Sequence, residues 1–248
     1  MIAGLYDIFA HWHKQGTVWM VSDTHFDDNE LYVGTKNIER NDTNEYVKLI
    51  NSKVGKNDTL IHLGDCGNLE AIAKIRGYKI LIMGNHDQGA SKFKRQIWKE
   101  KFDAIKYDKK DVISIMKTKY PNCIIRVSEK CYDVQHAPFE CYFATADNNL
   151  FDEVYTGPVQ IGEKLILSHE PLECGWAFNI HGHIHSFTHR DDARHMCICP
   201  EVTRQFEPVN FNKLMKSGFM SKIETQHRKT IDSATKRARK RGKKLGQN

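Results

Sequence analysis

Residues 80–87 read Ile80-Leu-Ile-Met-Gly-Asn-His-Asp87, an apolar run that stops at a glycine and three side chains carrying lone pairs. A short apolar run, partly β-branched and bounded by a turn signal, has the make-up of a buried strand. The pattern recurs on either side. Thr17-Val-Trp-Met-Val21 runs into Ser22-Asp-Thr-His25, Leu60-Ile-His-Leu63 into Gly64-Asp65, and Leu165-Ile-Leu167 into Ser168-His169. Helical periods lie between these runs. Residues 43–54 align Tyr46, Val47, Ile50 and Val54, with Asp42 or Thr43 as N-cap. Residues 68–76 align Leu69, Ile72 and Ile75 and stop at Gly77. Residues 91–102 offer Ser91 as cap and Phe93, Ile97, Trp98 and Phe102 as a stripe, which predicts a third helix. Strands alternating with helices predict an α/β domain. In such sheets ligands bind beyond the strand ends, where these polar clusters sit.

Composition narrows the class. Of 248 residues, 40% are hydrophobic and 27% charged, which excludes wholesale disorder. No apolar run approaches the ~18–20 residues that cross a bilayer, so no membrane partner is expected. The opening MIAGLYDIFAHWHK has no basic stretch before its apolar residues, so no signal peptide is predicted. Seven cysteines without a CxxC pair fit reduced thiols and a cytoplasmic location better than a disulfide framework. The net charge of +6 is unevenly spread. Residues 213–248 hold 12 of the 37 Lys and Arg and two acids, leaving residues 1–212 with a balance of −4.

Three segments follow from this. Residues 1–16 form an N-terminal extension in which Ile2, Leu5, Phe9 and Trp12 favour a docked amphipathic helix. Residues 17–212 form the domain, interrupted at 112–150 by an aperiodic insertion expected to hold mixed strands and loops beside the site. Residues 213–248 form a polar, basic tail ending in the run 236–244, which cannot build a core. That run reads as a solvated tail, a nucleic-acid contact through phosphate charge, or a localisation signal. No recognition motif accompanies it, so a sequence-specific reader is not expected.

The strand-end clusters, taken in order, are Asp23-x-His25, Gly64-Asp65, Gly84-Asn-His-Asp87, Ser168-His169 and Gly182-His-Ile-His185. Their carboxylate, imidazole and amide atoms suit Zn, Mn or Fe and exclude a thiolate site. The donors Asp23, His25, Asp65, Asn85, His86, His169, His183 and His185 exceed what one ion requires. Two ions sharing a carboxylate would need about this number. Asp-x-His converges on one ion only if the chain has left the strand before His25, since alternate residues of a strand face opposite ways. Gly182 gives His183 and His185 room for the same approach.

This ordered series resembles the signature of the calcineurin-like metallophosphoesterase family, DxH…GD…GNH[DE]…H…GHxH, with five blocks matching across residues 23–185. Within that family it is similar to small single-domain phosphoesterases of bacteria and their phages, through SDTHF, HLGD, LSHEPL, FNIHGHIH and a continuation to Cys199-Pro-Glu-Val202. The resemblance implies an α/β four-layer fold, a β-sandwich flanked by helices. It implies two divalent ions, Mn favoured over Zn or Fe. Asp23, His25 and His185 would hold one ion, Asn85, His169 and His183 the other, with Asp65 as the bridge. A hydroxide between the ions would attack phosphorus, His86 would protonate the leaving group, and Asp87 would orient His86. The expected substrate is a phosphate ester, more readily a nucleotide or nucleic-acid diester. A monoester, or a scaffold or nucleic-acid binder acting through its tail, are the alternatives.

Other residues carry less. His62 reads as a packed, non-ligand histidine, and His181 as structural or as a partner of a ligand. His11, His13, His136, His189, His195 and His227 match no block, and strand alternation accounts for Cys197-x-Cys199. Arg40 is a loosely spaced phosphate contact. Asp27-Asp28 stands where these relatives carry Gly-His, which removes any contact made by that histidine.

Overall fold

Apolar runs become strands in this computed structural model, which describes residues 16–28, 43–133, 139–186, 188–224 and 233–237. The N-terminal extension up to residue 15, Arg40, and all of the basic run except Lys236 and Arg237 lie outside the described residues.

The first sheet is built on β1 (Val18–Val21), β2 (Thr59–His62) and β3 (Tyr78–Ile82). These are parallel neighbours, with β8 (Glu153–Tyr155) parallel on β3 and β13 (Val209–Asn210) antiparallel on β1. All four residues of β2 are buried, as expected of a parallel strand covered on both faces, so it reads as a continuous apolar run. A second sheet orders β12 (His195–Cys197), β11 (Phe178–His181), β10 (Leu165–Leu167) and β9 (Val159–Ile161), the first three parallel. The two sheets meet face to face: Met20, Ile61, Leu63, Ile80 and Ile82 of one side pack with Leu165, Leu167, Phe178 and Ile180 of the other.

Helices cover the outer face of the first sheet. These are α1 (Thr43–Lys53), α2 (Leu69–Lys74) and α3 (Ala90–Lys94). Tyr46, Val47, Ile50, Ile72, Ile75 and Phe93 bury there against Val21, Leu60 and Leu81. Asn68 caps α2 by accepting from the Glu70 amide at 2.8 Å. The result is the expected α/β sandwich flanked by helices.

One helix expected from the sequence is corrected. After α3 the chain turns into β4 (Gln96–Asp103), which pairs antiparallel with β7 (Phe139–Asn148) along its whole length. Trp98 and Phe102 satisfy a helical stripe and a strand alternation equally well, and β7 decides between them. β7 also pairs with β5 (Ile124–Val127) and β6 (Cys131–Asp133), making a third sheet. Helix α4 (Lys109–Lys119) packs Val112 and Met116 on one face of that sheet, against Tyr142, Ala144 and Ala146. Asp108 caps α4 in a reciprocal capping box with Asp111. The third sheet thus begins at β4, and an 11-residue helix packs on it.

The C-terminal part contributes more core than its composition suggests. Beyond α5 (Pro200–Thr203), α6 (Phe211–Lys216) buries Phe211, and Ile223 is also in the core, with Leu214, Met215, Phe219 and Met220 packed against it. Sparse apolar residues were enough, because nearly every one of them points at the sandwich.

Candidate metal centre

All the polar clusters leave strands at one end of the sandwich. Asp23 and His25 follow β1, Asp65 follows β2, Asn85 and His86 follow β3, His169 follows β10, and His183 and His185 follow β11. Left-handed backbone at Asp23 (φ 51°), His25 (φ 39°), Asp65 (φ 58°) and His183 (φ 69°) breaks the strand alternation and turns these side chains inward. The loops are tied together: Asp23 N donates to Gly64 O at 3.0 Å, His25 N to Asp65 O at 3.0 Å, and Gly182 N to His169 O at 2.8 Å. At Gly182 a Cβ would lie 1.9 Å from Ser22 Oγ and 2.2 Å from Asp23 Oδ2, so only glycine lets the two sheets close here.

The donor atoms converge. His185 Nε2 lies 3.3 Å from Asp23 Oδ1, and Asp65 Oδ2 lies 3.5 Å from His25 Nε2 and 3.3 Å from His169 Nε2. His169 Nε2 is 2.8 Å from Asn85 Oδ1 and 3.2 Å from His183 Nδ1, which is itself 3.1 Å from Asn85 Oδ1. Asp23, His25 and His185 form one group with donors within 4.8 Å of each other, and Asp23, Asp65 and His169 form a second. The seven residues expected as ligands are therefore in one place.

Hydrogen-bond chemistry tests whether a cation fits. His169 Nδ1 is 2.8 Å from the Leu63 carbonyl, which only accepts, so Nδ1 carries the proton. In the neutral ring Nε2 then presents a lone pair to Asn85 Oδ1 and Asp65 Oδ2, which are acceptors too. A cation among them satisfies all three. Electrostatics agree. Asp23 is buried, which raises its pKa, but bonds from His185, Ser22 and Cys199 outweigh this and hold it well below the usual carboxylate range. Burial opposes charge on His185, yet Asp23 and Glu201 push its pKa up to about 9. The site is an anionic pocket that attracts a proton when no metal is there.

A model of the calcineurin-like phosphoesterase family matches residues 16–187. The chain belongs to that family. Membership brings metal-dependent hydrolysis of phosphate esters, with two divalent ions typical of the family, and the Asp and His groups here could hold them. One solved structure similar to this phosphoesterase is that of a protein of unknown function, AQ665, from Aquifex aeolicus. The two share 20% identity with a TM-score of 0.46, over 81% of this chain and 98% of that one. None of the curated proteins compared with the chain matches it. No helix among the described residues is long and apolar enough to cross a membrane.

His86 stands at the mouth of this phosphoesterase's site, its ring centroid 5.5 Å from that of His25. Asp87, the next residue in the chain, has partners of its own. The Asp87 carboxylate is buried and accepts from three backbone amides, Asp65 N at 2.8 Å, Cys66 N at 3.0 Å and Gly84 N at 3.0 Å. It fastens the Asp65 loop to the Asn85 loop. His86 N adds a further tie, donating to Asp65 Oδ1 at 2.9 Å.

Four partners of the ligands escaped the sequence reading. Glu201 Oε2 lies 3.1 Å from His185 Nδ1, and Asp28 Oδ2 lies 3.3 Å from His25 Nδ1. Ser22 Oγ donates to Asp23 Oδ2, as does the Cys199 thiol at 3.0 Å. Burial, together with Cys197 and Asp23, pushes the Cys199 pKa up, which fits a thiol that donates to Asp23. The CPEV block carried the only sequence signal for Cys199 and Glu201. His62 is packed as expected: Gly64 N donates to its Nδ1 at 3.1 Å, leaving Nε2 to bond Thr24 Oγ1 at 2.9 Å. His181 Nδ1 bonds the Gly182 carbonyl at 2.8 Å.

Proposed function

We propose that this protein is a binuclear metal-dependent phosphodiesterase acting on a nucleotide or nucleic-acid ester. Asp23, His25 and His185 would hold one ion and Asn85, His169 and His183 the second, with Asp65 beside His25 and His169 of the two sets. Bound there, the ions polarise the phosphate and supply an activated water as nucleophile. Oxygen and imidazole donors suit Mn, Zn or Fe, and Mn is the one we favour.

The protein's own residues do the rest. Glu201 and Asp28 fix the tautomers of His185 and His25 by accepting at Nδ1, which leaves each Nε2 lone pair for coordination. Asp87 holds the two loops in register. His86, at the mouth, protonates the departing alkoxide, which a positioned acid accelerates roughly 10²–10⁴-fold.

The observation that carries the diester reading is the charge of the mouth. The cleft of about 240 Å³ is lined by His25, Asp28, Asp65, Asn85, His86, His183 and His185, without a lysine or arginine among its described residues. A monoester presents two negative charges and a diester one, and a cleft lined without lysine or arginine has no side-chain cation for the second charge, which favours the diester. A neighbouring hollow of about 360 Å³ shares Asn85 with the cleft and adds His169, Met83, Pro158 and Leu172, again without lysine or arginine. It suits an uncharged ester substituent. The test is Mn²⁺-dependent hydrolysis of bis-p-nitrophenyl phosphate beside p-nitrophenyl phosphate, with Asp65→Asn as control. Diester turnover that disappears in the variant is expected. Turnover of the monoester alone would overturn the diester reading.

A further inference from the structure

Among the described residues, the third sheet has one face covered by α4 and the other exposed along the rows that hold Ile97, Phe143 and Ile124. Toward α4 it buries Tyr142, Ala144 and Ala146, with Trp98, Phe102, Ile125 and Val127 packed beside them. The opposite face leaves Ile97 46%, Phe143 47% and Ile124 61% exposed. Large apolar side chains at that exposure, side by side on one sheet, mark a contact surface.

Register shows what accompanies them. Across β4, β7 and β5 the outward residues align in rows: Ile97, Asp147 and Ile124, then Lys99, Thr145 and Arg126, then Lys101 and Phe143. Successive rows lie about 6.8 Å apart along β7. The acid in these rows, Asp147, is already neutralised, since Arg95 Nε and Nη2 bond it at 2.8 and 2.6 Å and Arg126 Nη1 at 3.1 Å. Asp103 follows only in the next row, beyond Phe143. Most of each arginine fork still faces solvent, with the two side chains 59% and 62% exposed. At the sheet's edge a cavity of about 640 Å³ extends the positive surface to Lys56 and Arg76 of the sandwich.

We propose that this face docks single-stranded nucleic acid, phosphates on Lys99, Lys101 and Arg126 and a base stacked on Phe143. Charge complementarity selects the occupant. Residues 1–212 carry a balance of −4, so cations gathered on one face run against the average. A second copy of the chain would set these cations against their own kind, and a purely ionic ligand would leave the ring and the isoleucines unused. Sheet faces with a cationic track and an exposed aromatic ring bind unpaired strands in this way. β4 begins nine residues after Asp87, so a short stretch of chain leads from the loop carrying Asn85 and His86 into this sheet. The proposal names a nucleic-acid substrate for the phosphodiesterase reading and rests on that reading only for turnover.

The experiment is fluorescence anisotropy of a short labelled oligo(dT) with the full chain in EDTA, so that binding is read apart from hydrolysis. Phe143→Ala should weaken binding about 5- to 150-fold, the worth of one stacked base. Lys99→Glu with Lys101→Glu should weaken it further and lower the salt slope by about 1.4, two phosphate contacts on a single strand. Both variants should hydrolyse bis-p-nitrophenyl phosphate like the parent. A third variant neutralises the lysines and arginines of 236–244 with glutamine. If binding survives the sheet variants and vanishes in the tail variant, the proposal is overturned. Equal affinity for a duplex of the same length would overturn it as well. Binding lost as expected in a protein that cleaves no diester would refute the phosphodiesterase reading and leave the docking surface standing.

Discussion

Asp87→Asn separates a carboxylate that holds loops from one that tunes an acid. In the structure its two oxygens take three amide protons, from Asp65, Gly84 and Cys66. Hydrogen bonds to a charged acceptor are worth about 1.5–3 kcal/mol each, and neutral ones roughly half. Asparagine with its oxygen at the Oδ2 position keeps the Asp65 and Gly84 bonds in weakened form. It then turns an NH₂ toward the Cys66 amide, and that bond is lost outright. The sum is about 3–6 kcal/mol. For a domain of this size each kcal/mol moves the midpoint by about 2–4 °C, so a fall of roughly 10–20 °C is expected. Because Asp65 rides on the same amides, metal affinity should fall with stability, by roughly 10-fold or more as for other partners of ligands. Thermal melts of the metal-free protein and Mn²⁺ titration by calorimetry measure both, with His86→Ala as control. That control should melt and bind metal like the parent. Should Asp87→Asn keep its melting point and metal affinity while losing turnover as His86→Ala does, the carboxylate acts on His86 and this reasoning fails.

Further predictions concern the same site. Asp65→Asn should lose metal and diester turnover together; retention of metal measured by atomic emission would refute its shared placement. Glu201→Gln should weaken the ion held through His185 by about 10–100-fold and spare the other, giving two separated steps in a metal titration. His86→Ala should cost about 10²–10⁴-fold with a poor, alkyl leaving group and much less with p-nitrophenolate, which departs without a proton; equal losses on both would remove its role as acid. The metal-free protein should lose stability as pH rises from about 6.5 to about 9, because the raised His185 pKa makes its protonated form stabilising below the unfolded value and absent above the folded one. Metal-loaded protein should lack that decline, and metal uptake should release protons in the same window, seen by calorimetry in buffers of different ionisation enthalpy.

What the sequence made legible follows from how local each signal is. A strand end carrying Asp, His or Asn declares itself within a few residues, so the seven residues expected as ligands, which the structure brings together, could be gathered without a structure. His62 could be set aside on the same terms, as a polar residue inside an apolar run. Residues 91–102 were misread because Phe93, Ile97, Trp98 and Phe102 fit two periods at once, and the arbiter, β7, lies some forty residues away. Glu201 and Cys199 reach the site only because β12 lies beside β11, a neighbour relation that no local period encodes. The backbone partners of Asp87 were not foreseen, since two of the three amides it binds belong to a segment 21 and 22 residues earlier.

The left-handed backbone at Asp23, His25, Asp65 and His183 bears on attempts to rebuild or transplant this centre. Asp, Asn and His tolerate that conformation far better than β-branched residues, so at these positions the choice of ligand and the shape of the turn are one decision. Exchanging a ligand to recruit another metal would also exchange the bend that aims it. Grafting the side chains onto a regular strand of another scaffold would scatter them to both faces. A working copy has to carry the turns along with the donors, and the bonds of Asp87 that hold those turns together.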